Sequence, residues 1–105
     1  MRKLTIKRKR SLIECASKIT LLVQCDKDSA THSIKGVYYK SYEFKNGKTL
    51  ELEIPDNAVI IGVKSSTMQR FYTIEEGSGD VFLIASPRYS LMEGNPFTIT
   101  RVDSI

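Results

Sequence analysis

Hydrophobic and polar residues alternate most clearly on the two sides of Asn46-Gly47. Before this dipeptide, Tyr42 and Phe44 alternate with polar neighbours, and after it leucine or isoleucine alternates with glutamate over residues 50–54. A period of two places one set of side chains in a core and the other in water. Asn followed by Gly supplies the positive φ angles of a two-residue type I′ turn. The pattern therefore predicts a β-hairpin centred on Asn46-Gly47.

A third strand is predicted immediately after this hairpin. Pro55-Asp56-Asn57 interrupts the alternation, because proline lacks the N–H group that continued pairing requires. The following segment, 58–63, is apolar throughout and rich in β-branched residues. These features favour a central strand covered on both faces over a helix.

Short alternating segments of the same kind make up most of the remaining chain. They are residues 3–7, 19–25, 34–44, 70–74, 81–85 and 97–102. Residues 12–16 fit either a strand or a single helical turn. Seven or eight short strands at spacings of about ten residues, with no helical period, favour an all-β fold. We expect a single antiparallel β-sandwich, with a small β-barrel as the alternative.

The length and hydrophobic content are those of one domain. A chain of 105 residues with 41% hydrophobic residues forms one core (domain 1–105), since each half alone would be too small for its own. No apolar run approaches the ~20 residues of a transmembrane helix. The basic start is not followed by the apolar core and cleavage site of a signal peptide. For a complete chain, these features predict a cytoplasmic location.

The net charge of +4 is concentrated at the N-terminus. Six of the 16 Lys and Arg residues lie within residues 1–10, which contain no acid, and the other ten bases are outnumbered by 12 acids. The basic character therefore belongs to one segment and not to the whole fold. We predict that residues 1–10 form a basic arm or an edge strand whose charges protect it from further pairing.

Six basic side chains of this segment are candidates for contacts with phosphate groups or an anionic surface. They are Arg2, Lys3, Lys7, Arg8, Lys9 and Arg10. Such side chains bind phosphates with an affinity that is independent of sequence and falls with salt, and they are attracted to anionic lipid headgroups. A solvated strand end explains the same run of bases. We favour that interpretation, because a basic cluster alone is not specific.

Tyr38, Tyr39 and Tyr42 interleave with lysines and are candidates for exposed aromatic contacts. On an open sheet face, such residues stack on the bases of single-stranded nucleic acid. However, the nearby Glu43 and Glu51 would repel phosphate. Ordinary cross-strand packing also explains the tyrosines, and it is the interpretation we favour.

The sequence contains no recognisable catalytic or metal-binding constellation. Cys25 and His32 could form an activated thiolate, but nothing supplies a third group to orient the histidine. With Cys15 they remain too few for a closed four-ligand zinc site, and Asp26 begins a calcium-like loop that lacks its later ligands. We expect Cys25 to be a small buried hydrophobic residue. We predict no enzyme activity, no cofactor and no metal.

Four short segments carry a resemblance to a known group of proteins: residues 34–37, 44–48, 50–55 and 59–63. Together they resemble the small bacterial β-sandwich modules of the PEGA type. In those modules a Gly-containing turn leads to an NG-type hairpin and then to a strand after a Pro-Gly-like turn. Here Pro55-Asp56-Asn57 stands where they more often have Pro-Gly. The resemblance implies a non-catalytic sandwich used for contacts, with no functional residues to transfer.

These observations favour a non-catalytic binding or structural module. The first hypothesis is protein–protein contact, including self-association, along an edge strand or through the loops at one end. The alternative is binding of nucleic acid or an anionic surface by residues 1–10. The expected partner is therefore another protein or a second copy of this chain, and the sequence leaves any small-molecule ligand undefined.

Overall fold

The protein is built almost entirely from short β-strands. The computed structural model describes residues 1–9, 19–65, 69–87 and 97–105. These residues form nine strands: β1 (Arg2–Arg8), β2 (Thr20–Gln24), β3 (His32–Ile34), β4 (Val37–Glu43), β5 (Thr49–Ile54), β6 (Val59–Lys64), β7 (Gln69–Ile74), β8 (Val81–Pro87) and β9 (Phe97–Val102). A single 3₁₀-helical turn (Lys27–Ser29) occupies the polar segment between β2 and β3. The segment 12–16, for which the sequence fits either a strand or a helical turn, lies outside the described residues, as does Cys15 within it.

The strands form two sheets packed as a sandwich. The four-stranded sheet has the order β5-β1-β8-β9, and the five-stranded sheet has the order β3-β4-β2-β6-β7. Among the strand pairs that the structure describes, all are antiparallel except β1 with β8, which is parallel. The predicted all-β sandwich is confirmed, and the described strands do not close into the alternative barrel. No helix in the described ranges is long and apolar enough to cross a membrane.

The hydrophobic core lies between the two sheets. Leu4 and Ile6 of β1 are fully buried, and so are Leu21 and Ile61 of the five-stranded sheet. All four belong to one cluster that draws side chains from both sheets. Burial of each such side chain contributes roughly 1.5–3 kcal/mol. The alternation along the strands therefore places the main stabilising contacts on the facing sides of the sheets.

The turn at Asn46-Gly47 is not the predicted hairpin. β4 pairs with β2 and β3, whereas β5 pairs with β1 in the other sheet, so the chain crosses between sheets at this point. Of the two residues Asn46 and Gly47, only Gly47 has a positive φ, 73°. The Lys48 N–H donates to the Lys45 carbonyl over 3.0 Å. One positive φ at the third turn position is the requirement of a type II turn, whereas type I′ needs two.

A two-residue hairpin occurs instead at Lys35-Gly36, inside the segment 34–44 that is predicted as one extended stretch. Both turn residues have positive φ, 51° and 79°, as a type I′ turn requires. Ile34 and Val37 pair on either side of the turn. Lysine rarely adopts positive φ, so no favoured turn dipeptide marks this hairpin in the sequence.

β6 is a central strand, as predicted, and lies between β2 and β7. Ile61 faces the other sheet, while Gly62 lies on the outer face opposite Phe71 of β7. A Cβ atom at Gly62 would lie 2.7 Å from a carbon of the Phe71 ring. The absence of a side chain at Gly62 therefore makes room for this ring.

A second, smaller hydrophobic layer covers the outer face of the five-stranded sheet. The rings of Phe71 from β7 and Tyr39 from β4 lie 5.7 Å apart between centroids. β2 lies between these strands, and its Leu22 is fully buried although it is outside the main cluster. Leu22 and the two rings therefore lie on the same outer face, and the layer that includes them keeps Leu22 from water.

β1 is an interior strand and not the predicted arm or edge strand. It lies between β5 and β8. Arg2 and Arg8 alternate in phase with Leu4 and Ile6 and are only 4% and 2% exposed. The prediction was wrong because it followed the density of charge and not this alternation, which carries both arginines to the buried face of the strand.

Candidate functional site

The two faces of β1 separate the basic residues of the N-terminal segment. Arg2 and Arg8 lie on the inner face, at the two ends of the strand. Lys3, Lys7 and Lys9 lie on the outer face, where Lys3 and Lys9 are exposed and Lys7 is half-buried. The described candidate anion contacts are therefore of two kinds: the arginines are buried, and the lysines are accessible to a ligand.

Arg2 joins the loops at the end of the sandwich where β1 begins. Its Nε donates to the carbonyl of Pro55 (3.2 Å), and its Nη2 donates to the carbonyls of Asn57 (3.0 Å) and Glu75 (2.7 Å). A buried guanidinium group is stable only when its donors are paired. Because its partners are carbonyls from two loops, Arg2 is a structural residue and not a ligand contact.

Arg8 has a corresponding position at the opposite end of β1. Its Nη1 donates to the Phe44 carbonyl over 2.7 Å, and its main-chain N–H donates to the Lys48 carbonyl over 2.9 Å. These bonds hold residues 44–48, where the chain crosses between sheets, against the end of β1. Arg8 therefore positions this crossing from within the fold.

An open cavity of about 650 Å³ lies beside this crossing. It is lined by Lys7, Lys9, Asn46, Gly47 and Lys48, which together we call the lysine groove. No described lining residue is acidic, and the three ammonium groups make no hydrogen bond or ion pair with any residue that the structure describes. Three lysines with no acidic partner among the described residues therefore line one cavity, an arrangement that attracts anions.

Lys45 extends this positive surface. It is exposed in the same turn, and its carbonyl accepts the hydrogen bond that closes the turn. We call the lysine groove and Lys45 together the basic end of the sandwich.

Lys3 belongs to a different part of the surface. Its Nζ lies 3.7 Å from Glu51 Oε1, and its main-chain N–H donates to Asp80 Oδ1 over 3.1 Å. Glu51 shares a sheet face with Lys7, but its carboxylate is directed toward Lys3 and so does not neutralise the groove. Arg10, the sixth candidate, lies outside the described residues.

A group of exposed carboxylates lies at the end of the sandwich where β1 begins. They belong to Asp56, Glu75, Glu76 and Asp80, and we call them the acidic end. The loops that carry them, 55–58 and 75–80, contain no basic residue and are joined by a 2.8 Å hydrogen bond from the Gly77 N–H to the Asp56 carbonyl. Because Arg2 bonds to carbonyls and not to carboxylates, the negative charge remains at the surface.

The three candidate tyrosines do not form a common platform. Tyr39 lies on the outer face of its sheet and is 4% exposed, and burial raises the pKa of its hydroxyl group. Tyr38 and Tyr42 lie on the opposite face of β4 by alternation, and Tyr42 packs against the core with the Lys40 Nζ 5.8 Å from its ring centroid. Burial excludes Tyr39 as an exposed contact, in line with the packing interpretation that the sequence favours.

Lys48 and Phe71 are surface residues that the sequence did not indicate. Lys48 reaches the groove because β1 pairs with β5 and places Thr49 opposite Lys7. No local pattern reports a contact between segments so distant in the chain. Phe71 is 37% exposed beside Gly62, and the only sequence signal for it is the glycine inside a β-branched strand.

The candidate chemical groups stay apart. Among the described residues, no three His, Cys, Asp or Glu side chains gather to hold a metal ion. His32 Nδ1 lies 2.9 Å from the Thr31 hydroxyl, and the structure shows no bond from it to Cys25. Cys25 is half-buried beyond the end of β2, so the expectation that it is buried is wrong. Asp26 is exposed and precedes the 3₁₀-helical turn.

Comparison with known proteins gives no match: no family model fits the chain, and neither a curated protein nor a solved structure is similar to it. The resemblance of residues 34–63 to PEGA-type modules stays a prediction. One segment that carries it, the turn at Asn46-Gly47, crosses between the two sheets here. The features that bear on function are therefore the two charged ends of the sandwich.

Proposed function

We propose that this chain is a non-catalytic domain that associates head to tail, with the basic end of one copy against the acidic end of the next. A single observation carries the proposal: the two ends of β1 present opposite charges. The strand is seven residues long, so at about 3.3 Å per residue its ends lie roughly 20 Å apart. A separation of this size exceeds the ~8 Å Debye length at physiological salt, so the two ends of one molecule do not neutralise each other.

The charged groups at both ends are available for a partner. Glu75 and Glu76 have no ion-pair or hydrogen-bond partner for their carboxylates among the residues that the structure describes. Asp56 has one distant partner, the N-terminal amine at 3.8 Å. The ammonium groups of Lys45 and Lys48 are likewise exposed. Contact between ends would replace isolated charges with ion pairs.

The hydrogen bonds that hold the loops and the turn at the two charged ends favour a defined contact. The bonds from Arg2 fix the loops of the acidic end, and those from Arg8 fix the turn at the basic end. Each exposed ion pair contributes only about 0.2–1 kcal/mol and is screened by salt. The association is therefore weak and strongly dependent on salt, and because the two contacting surfaces differ, it builds rings or open chains.

The test is a pair of charge-reversal variants studied alone and mixed. Lys9→Glu with Lys48→Glu reverses the basic end and lowers the net charge from +4 to 0. Asp56→Lys with Glu76→Lys reverses the acidic end and raises the net charge from +4 to +8. We expect each variant alone to sediment at the monomer mass of 11.9 kDa. A one-to-one mixture should associate as the unmodified protein does, because each variant keeps the end that the other has lost.

A matched control separates the location of charge from its total. Lys40→Glu with Arg101→Glu also brings the net charge to 0, but it changes exposed positions on β4 and β9. This variant should associate normally at about 0.05 M salt and dissociate near 0.5 M, as the unmodified protein does. A protein that remains monomeric at low salt, or a mixture that shows no association, would contradict the proposal.

A further inference from the structure

We infer that the lysine groove is a binding site for a phosphate monoester dianion. Lys7, Lys9 and Lys48 line one cavity of about 650 Å³. Like charges brought together without a counter-ion repel one another. A phosphate monoester carries a charge of about −1.5 to −2 at pH 7 and three strong acceptor oxygens, so it can interact with all three ammonium groups at once.

The main chain of the groove supplies a further donor. The Lys48 N–H is used within the turn, where it donates to the Lys45 carbonyl over 3.0 Å. Gly47 also lines the groove, and its N–H has no acceptor among the described residues. Main-chain N–H groups in turns are common partners of phosphate oxygens. The groove therefore combines point charges with a fixed donor.

Both walls of the groove are anchored before any ligand arrives. On one side, the Arg8 N–H donates to the Lys48 carbonyl over 2.9 Å, and on the other the Lys9 N–H donates to the Ala85 carbonyl over 2.8 Å. The buried Arg8 guanidinium holds the Phe44 carbonyl behind the turn. A preorganised site binds its ligand with a smaller loss of conformational entropy.

The arrangement favours a single phosphate monoester over a polynucleotide chain. Sites for single-stranded nucleic acid combine a charged track along the backbone with aromatic stacking surfaces. Among the described residues, none that lines the lysine groove is aromatic, and Lys3, the next lysine along the outer face of β1, is paired with Glu51. A phosphodiester chain would therefore find one cluster of charges and no continuous track.

The site goes beyond the proposed self-association and does not depend on it. The lysines that would bind phosphate also belong to the basic end, so a bound monoester would compete with the acidic end of a second copy. Phosphate binding can nevertheless be measured on a monomeric protein. The two proposals therefore succeed or fail separately.

The experiment is a titration of the full chain, labelled with ¹⁵N, with inorganic phosphate at constant ionic strength. We expect a saturable shift of the Gly47 amide resonance and a loss of at least about tenfold in affinity for Lys7→Gln with Lys48→Gln. The single variant Lys48→Gln, at an exposed position, gives a second test that does not disturb the half-buried Lys7. Lys40→Gln is the matched control and should bind normally.

Four further ligands identify the chemistry and its source. Acetate at the same ionic strength should give no saturable shift. A nucleoside 5′-monophosphate and a phosphoserine peptide distinguish a small-molecule source of the monoester from a protein source, and the tighter of the two identifies it. Failure of phosphate to saturate, an equal response to acetate, or tighter binding of an oligonucleotide without terminal phosphates would overturn the inference. Sedimentation of the same samples reports self-association independently.

Discussion

The two ends of β1 are built alike and yet carry opposite surface charge. At each end a buried arginine donates hydrogen bonds to main-chain carbonyls of nearby segments. Arg2 donates to loops 55–58 and 75–80, and Arg8 donates to Phe44. The first end exposes carboxylates and the second exposes lysines. Both arginines are buried and bond to main-chain carbonyls, whereas the exposed charges at the two ends belong to other residues, so fold stability and surface charge depend on different residues. The two properties can therefore be changed separately.

The largest expected effect is on stability at the acidic end. Arg2→Met removes three hydrogen bonds to loops 55–58 and 75–80 while keeping an apolar side chain in the buried position. Hydrogen bonds to a charged group contribute about 1.5–3 kcal/mol each, and neighbouring losses do not add fully. We expect the free energy of unfolding, measured in urea, to fall by roughly 3 kcal/mol.

Lys3→Met is the control for Arg2→Met, because it removes the adjacent charge from the exposed face of the same strand. Its loss of one exposed ion pair with Glu51 should change the free energy of unfolding by less than about 1 kcal/mol. Hydrogen exchange of the Gly77 amide should accelerate in the Arg2 variant alone, because this amide joins the two loops. Equal effects of the two substitutions would show that burial of Arg2 has no special role.

A substitution at Gly62, between the two ends of the sandwich, should lower the free energy of unfolding without changing either charged end. Gly62→Val would place a Cβ atom 2.7 Å from the Phe71 ring and displace that ring from Tyr39. Overpacking of this kind costs typically 1–3 kcal/mol, and uncovering Leu22 adds to the loss. We expect a decrease in the free energy of unfolding of about 2 kcal/mol, with unchanged head-to-tail association of the folded protein.

Phe71→Ala tests this explanation, because it removes the ring that the new side chain would meet. In that background, Gly62→Val should be neutral or stabilising, since valine fits a strand better than glycine. A double-mutant cycle gives the coupling directly. If Gly62→Val costs the same with and without the Phe71 ring, the contact between these two positions is not the cause.

The strand alternation was predictable from the sequence, whereas strand pairing was not. The period of two correctly places Leu50, Leu52 and Ile54 on the inner face of β5. The alternation on the two sides of Asn46-Gly47 is the same whether the chain turns back or crosses between sheets, so it cannot distinguish the two. A turn dipeptide reports local backbone angles, and the choice of partner strand depends on contacts made elsewhere.

The candidate site was predictable only in part for the same reason. The phase of Leu4 and Ile6 already implied that Arg2 and Arg8 face inward, and the density of charge concealed this signal. The lysine groove requires Lys48 beside Lys7 and Lys9, a contact created by the pairing of β1 with β5. Composition identifies which residues carry charge, whereas topology decides which charges converge.

The smallest expected effect on stability comes from Thr5, which lies between the two ends of β1. Thr5 is 6% exposed, and its Oγ1 is buried without a hydrogen-bond partner among the residues that the structure describes. An unsatisfied buried hydroxyl costs about 1–3 kcal/mol. Thr5→Val keeps the branched shape that suits a strand and removes the hydroxyl, so we expect the free energy of unfolding to rise by about 1 kcal/mol. Thr49→Val, at an exposed position of β5, should change it by less than about 0.5 kcal/mol, and a loss of stability in the Thr5 variant would mean that its hydroxyl has a partner in solution.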